Sequence, residues 1–206
     1  MKNLYRPRLT ITQYHEEEQY RQIEHELNPK YSKWVNFMDY IWKYGSLNVK
    51  GATILDYNCE VGGSAIYFIT KGAAKVYLIL TDQAYAEQYP RLIEKNYRPE
   101  ILSKIEVVNH EAALNLDFDI LKMDCEGCES DTLTQPLLQK PTGFAVSLHK
   151  NVMEKEDLKE KIRLLESEGG EYYGNINDWE YVWVKRGGDI PLSRGKSQSG
   201  LVPSLI

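Results

Sequence analysis

The sequence predicts a three-layer α/β domain built on a mostly parallel sheet, and three observations carry that expectation. Short apolar runs recur at Ala52–Tyr57, Ala74–Leu80, Lys104–Asn109, Phe118–Met123 and Gly143–His149. Runs that are apolar at nearly every position suit strands covered on both faces. Helix-like stretches separate most of them, which implies βαβ crossovers rather than hairpins. Finally, 206 residues with 42% hydrophobic and 27% charged positions can bury one core without a metal or disulfide staple.

Ahead of the sheet, Thr10-Ile11-Thr12-Gln13 fits a capping box, with Leu9 and Tyr14 as its hydrophobic staple. Glu16, Glu17 and Glu18 follow in the first turns, where the helix dipole favours negative charge. This helix is expected to end at Asn28-Pro29, which suit the cap and first position of a second helix. There Trp34, Val35, Met38, Ile41 and Trp42 recur at three- and four-residue spacing as one apolar stripe, stopped by Gly45. Beyond the fifth apolar run, Glu154–Glu168 is amphipathic, with Leu158, Ile162 and Leu165 aligned and Gly169-Gly170 as the stop. Glu180–Lys185 reads as a final strand, and Gly187–Ile206, rich in Gly, Pro and Ser, as a tail. The expected organisation is a helical extension over 1–50 packed on the core, an α/β domain over 51–186, and a tail over 187–206.

Thirty acidic against 25 basic residues give a net charge of -5, which argues against a sequence-blind nucleic-acid binder. The first residues carry no apolar run of a secretory signal, and no stretch approaches the ~18 apolar residues of a membrane span. A cytoplasmic chain is the expectation. Cys125-Glu126-Gly127-Cys128 is a C-x-x-C, but zinc would need a second ligand pair that the sequence lacks, so no metal is expected. The two cysteines read as small residues in a crowded turn. Free thiols are expected of a cytoplasmic chain, hyperthermophiles excepted.

Ligands of open α/β sheets bind at the carboxyl ends of the strands. The first strand ends in Asp56-Tyr57-Asn58-Cys59-Glu60-Val61-Gly62-Gly63-Ser64, a carboxylate followed by a turn of small residues. Glycine there lets backbone approach a ligand closely. The turn is neither G-x-G-x-x-G nor a phosphate loop. The fourth run closes in Asp124-Cys125-Glu126-Gly127-Cys128-Glu129, a turn crowded with carboxylates.

At this point the sequence resembles the FkbM-type group of class I S-adenosylmethionine-dependent methyltransferases. Leu121, Lys122, Asp124, Glu126, Gly127 and Glu129 match the group's L-K-x-D-x-E-G-x-E; Asp56, Asn58 and Gly62 stand on its D-x-G-x-x-x-G turn. Gly72-Ala73-Ala74-Lys75-Val76-Tyr77 matches its G-A-x-K-V-Y run, Leu92–Asn96 its next helix, and Gly143–His149 its fifth strand, over roughly 51–186. The resemblance implies seven strands with the last antiparallel, S-adenosylmethionine as cofactor, and O-methylation of a small molecule, sugar or lipid-linked glycan. It puts Asp56, Asn58, Gly62 and Asp124 on the donor, with His110 after the third strand at the adenine. The group's ribose-binding carboxylate falls on Leu80, leaving Asp82, two residues on, as the expected substitute. An alcohol acceptor needs its proton taken. Asp124 is the first candidate by position, with Glu126 and His149 beside it. Two other readings remain: a catalytically inactive binding module, suggested by Asn58 and Leu80, and an RNA- or protein-directed methyltransferase, for which Lys2, Arg6 and Arg8 would be a basic arm. With the first and fourth strands adjacent, Cys59 and Cys125 should be neighbours. The acceptor and the oligomeric state are not legible in the chain.

Overall fold

A computed structural model of the chain describes residues 40, 43–58, 62–81, 99–175 and 180–187. The first front helix, the apolar stripe of the second, Cys59, Asp82, Leu92–Asn96 and the tail beyond 187 lie outside the described residues. Seven strands form one sheet in the order β3-β2-β1-β4-β5-β7-β6. They are β1 (Thr53–Asn58), β2 (Lys75–Leu80), β3 (Ile105–Val107), β4 (Ile120–Asp124), β5 (Gly143–His149), β6 (Glu171–Asn175) and β7 (Glu180–Lys185). The pairs from β3 through β5 are parallel, whereas β7 runs antiparallel to both β5 and β6. The expected mostly parallel sheet with an antiparallel last strand is what the chain builds.

Helices cover both faces. On one side α1 (Gly63–Thr70) packs Ala65, Ile66 and Phe68 with Ile54, Val76, Leu78 and Ile120, together with Tyr40 and Tyr44. On the other, α5 (Gln135–Gln139) and α6 (Lys155–Ser167) bring Leu137, Leu138 and Leu165 onto Leu55, Leu121, Phe144 and Leu148. Among the described residues, α2 (Pro99–Leu102), α3 (His110–Ala113) and α4 (Glu129–Thr132) are single turns. The short Asn109–Phe118 connection holds α3, where the Asn109 side chain accepts from the Ala112 amide at 2.8 Å, an N-cap bond. Among the described residues, no helix is long and apolar enough to cross a membrane.

Two sequence expectations are corrected here. Residues 171–175 form β6, which the apolar runs did not mark, because a register irregularity at Tyr172/Gly174 breaks its alternation. Cys125 and Cys128 are not free thiols but a disulfide, with Cα atoms 5.5 Å apart. The turn between them makes that approach possible: Glu126 and Gly127 take φ of 52° and 122°, the left-handed side of conformational space.

Candidate functional site

Strand register sets the site. β1 and β4 pair in parallel with Asn58 opposite Asp124, so their C-terminal turns share one rim. Side chains alternate along a strand, and Asp56, Asn58, Lys122 and Asp124 therefore point to the face covered by α1. β5 ends there in His149, and β7 begins with Glu180 directly across from it.

The turn after β1 is held from below. Asp56 is fully buried, its Oδ1 2.9 Å from the Lys122 ammonium and its Oδ2 accepting from the Ser64 hydroxyl at 2.6 Å. Lys122 also donates to the Tyr57 carbonyl at 3.0 Å, and Asn58 Nδ2 donates to Ser64 Oγ at 2.7 Å. Both oxygens of Asp56 are thus engaged inside the protein, where the carboxylate braces the turn. Gly62 closes the turn at φ 74°, ψ 24°, a left-handed conformation that suits glycine, and opens α1.

Asp124 stands at the centre of the rim. Its Oδ2 accepts from Lys43 Nζ at 2.7 Å and from the Tyr44 hydroxyl at 2.8 Å, while Oδ1 lies 3.5 Å from His149 Nε2. Lys43 also pairs with Glu180. On its far side, His149 Nδ1 meets Glu129 Oε1 at 3.0 Å. Glu129 in turn accepts from the backbone amides of Cys125 at 3.0 Å and Gly127 at 2.7 Å. Asp124 keeps 16% of its side chain exposed, against 3% for His149 and none for Glu129. Among the described residues, Asp124 is therefore the most exposed side chain of this network.

The charges set one another. Burial opposes ionisation of Asp124, but Lys43, Lys122 and His149 outweigh it and hold the carboxyl well below the usual range. Burial also opposes the Lys43 ammonium, and Asp124 and Glu180 more than compensate, raising its pKa. For His149, the hydrogen bond it donates to Glu129 and the charges of Asp124, Glu129 and Glu180 overcome desolvation and raise the pKa. Burial, reinforced by Asp124, keeps the Tyr44 hydroxyl protonated.

Asp124, His149 and Glu180 offer ligand atoms within 4.8 Å of one another, a spacing compatible with a metal ion. The Lys43 ammonium already bridges two of the three, so a cation occupies that position from within the chain.

The other expected residues are dispersed. Glu126 is exposed at the crest of the C-x-x-C turn, apart from the buried network. His110 opens α3 on the opposite face, its Nδ1 2.8 Å from the Tyr57 hydroxyl, whose pKa burial pushes up to about 12. Leu80, at the end of β2 opposite Asn58, packs partly buried against the core, so the expected ribose carboxylate is absent from that position. Sequence reasoning missed Lys43, Tyr44 and Glu180 altogether. Nothing local marks a lysine whose partner lies 81 positions away.

No family model matches the chain. Its fold is similar to that of an S-adenosylmethionine-dependent O-methyltransferase from Thermotoga maritima, at 12% identity and TM-score 0.58, over 82% of this chain and 72% of that one. It is also similar to precorrin-6y C5,15-methyltransferase from Geobacter metallireducens, at 11% identity and TM-score 0.51, over 68% and 82%. A proposed RNA methyltransferase from Pyrococcus horikoshii aligns at 10% identity and TM-score 0.50, over 71% and 77%. At these identities the likeness is one of fold. In sequence, the chain is 27% identical over 147 residues to uncharacterized protein 65 of Sulfolobus islandicus filamentous virus, spanning 68% of this chain and 82% of the relative. To uncharacterized protein 158B of Sulfolobus islandicus rod-shaped virus 1 it is 31% identical over 142 residues, 62% of this chain and 87% of the relative. By that similarity the chain belongs to the family of protein 158B, on a sheet shared with S-adenosylmethionine-dependent methyltransferases.

Proposed function

We propose that this chain is an S-adenosylmethionine-dependent methyltransferase acting on an oxygen of a small molecule, sugar or lipid-linked glycan. The observation that carries the reading is the juxtaposition at the β1–β4 rim. A left-handed glycine turn and a carboxylate lie side by side at the C-terminal ends of adjacent parallel strands, in a sheet of the methyltransferase order. The match of Leu121, Lys122, Asp124, Glu126, Gly127 and Glu129 to one motif favours the FkbM-type group.

The residues present fit the donor at this rim in part: the Gly62 turn, Asn58 and Asp124 would hold it, with His110 on the adenine side and Asp82 as the ribose substitute for Leu80. The donor supplies an electrophilic methyl group on a positively charged sulfur. Asp124, kept ionised by Lys43, contributes a fixed negative charge at the rim and is correspondingly a poor proton acceptor. His149 is the better base once deprotonated. Its raised pKa makes it an imidazolium at lower pH, so turnover should climb as pH rises and the ring gives up that proton. Burial of the network excludes water, and alignment of acceptor with donor supplies much of the acceleration.

A second reading, a binding module without catalysis, is favoured by one observation: Leu80 stands where the ribose carboxylate belongs. Calorimetric titration of the purified chain with S-adenosylmethionine separates the two. Binding below millimolar dissociation constant supports the enzyme. Silence at millimolar donor supports the module.

A further inference from the structure

We propose that Glu129 is a positioning residue for methyl transfer, a buried carboxylate that fixes the His149 ring with Nδ1 protonated and Nε2 turned toward Asp124 and the rim. The inference rests on the methyltransferase reading above and extends it to a residue that the sequence reading used only as part of a motif.

Glu129 is the first residue of α4, fully buried, and its two oxygens receive three donors. Oε1 accepts from the Cys125 amide at 3.0 Å and Oε2 from the Gly127 amide at 2.7 Å. A carboxylate accepting from two backbone amides is an acceptor, so the contact between Oε1 and His149 Nδ1 at 3.0 Å requires the proton on the nitrogen. This assigns the tautomer by chemistry rather than by observed hydrogens. With Nδ1 holding its proton against Glu129, Nε2 is the nitrogen that takes up and gives off the titrating proton, and it lies 3.5 Å from Asp124 Oδ1.

The same carboxylate links two elements that carry the site. It joins the turn after β4, which contains the Cys125–Cys128 disulfide, to the last residue of β5. The ring is thereby oriented against the strand that supplies Asp124. A carboxylate behind a histidine serves this purpose in acid–base sites generally, holding the ring in one tautomer and stabilising its charged form. The charged groups around the ring are Glu129 from α4, Asp124 from β4, Glu180 from β7, and Lys43 beyond Asp124. Among them, Glu129 is the one hydrogen-bonded to Nδ1.

The test is imidazole nitrogen NMR of the full chain across pH, paired with pH–rate profiles. The wild type should show the Nδ1-protonated tautomer above the His149 midpoint. Glu129→Gln should lower that midpoint by about one pH unit or more and carry the acid limb of kcat with it, leaving KM for S-adenosylmethionine within about twofold. In a His149→Gln background the same substitution should cost no further kcat. A residue that merely caps the turn would lower the melting temperature and leave the titration where it was. An Nε2-protonated tautomer in the wild type overturns the proposal, and this arm needs no variant to fold. The NMR arm also needs no acceptor. A shifted midpoint in a protein that never transfers a methyl group keeps the Glu129–His149 link and overturns the methyltransferase reading. Turnover that depends on His149, with an unmoved midpoint in the variant, overturns the link alone.

Discussion

On the face covered by α5 and α6, the central strands contribute Leu55 and Tyr57 from β1, Leu121 and Met123 from β4, and Phe144, Val146 and Leu148 from β5. One position along, on the face covered by α1, the same strands contribute Asp56, Asn58, Lys122, Asp124, Ser147 and His149, most of them just as deeply buried. Strand geometry makes both faces available; it does not decide which is charged. Taking an ion out of water costs several kcal/mol, and well-packed apolar residues often stabilise a core at least as well as a buried ion pair. Stability alone therefore gives no reason for the charged file. Its members converge on the C-terminal ends of β1, β4 and β5, where an α/β sheet binds ligands, and Lys43 and Tyr44 close over it from outside the sheet. The face under α5 and α6 is apolar along these strands, whereas the face under α1 joins an apolar core of Ile54, Ile120 and Ala145 to a charged cluster at the strands' C-terminal ends.

The largest predicted effect falls on the deepest ion pair. Lys122→Met strands the Asp56 carboxylate with no cation and should cost about 3–5 kcal/mol in urea unfolding. The double variant Lys122→Met/Asp56→Leu should regain most of that loss. If it does not, the pair contributes more to stability than an apolar replacement and the contrast between the faces weakens. On the apolar face, Leu121→Ala should cost about 3 kcal/mol by opening a cavity. It should leave the His149 titration unmoved, and a shift there would show that the two faces are coupled.

Lys43→Met should cost less, about 2 kcal/mol, because Asp124 is partly exposed and keeps its Tyr44 and His149 contacts. With the ammonium gone, Asp124, His149 and Glu180 become a ligand set, so zinc or manganese should raise the melting temperature of the variant and not that of the wild type. Equal stabilisation of both proteins would show that Lys43 does not occupy the cation position. Cys128→Ser, which opens a loop of three-residue separation, should cost about 1–2 kcal/mol by the chain-entropy argument.

The gentlest probe is pH. Asp124 has a folded pKa below its unfolded value, so its contribution is complete above about pH 4 and is lost as pH falls through the folded value. His149 has a folded pKa above its unfolded value, so its contribution is complete below about pH 6.5 and is lost as pH rises through the folded value. Melting temperature should be least dependent on these two groups between those limits. Asp124→Asn should flatten the acid side, and His149→Gln the alkaline side.

The apolar face was the more legible of the two. The apolar runs locate β1, β2, β3 and β4 to within a residue or two, and β5 (Gly143–His149) and β7 (Glu180–Lys185) to the residue, because burial on both sides writes itself into composition. The charged face was legible only where residues are close in sequence. The turn from Asp124 to Glu129 stands out as a carboxylate cluster, and His149 as the end of an apolar run. Glu180 looks like the polar edge of a strand until the antiparallel register sets it opposite His149. Asp56 shows the converse, a residue whose internal partner the sequence hides. A carboxylate at the end of a first strand suggests a ligand contact, and its long-range partner Lys122 lies inside another apolar run. β6 escaped because five residues containing a glycine and a register irregularity carry too little periodicity.

Methyl and amide NMR of the chain during titration with S-adenosylmethionine tests most directly the claim that the charged face carries the chemistry. The predicted result is saturable shifts at the amides of Asn58, Gly62 and Asp124 and at the His149 ring, with the methyl signals of Leu121, Leu148 and Val146 unmoved. Absence of any shift at millimolar donor, or shifts confined to the apolar face, would contradict it.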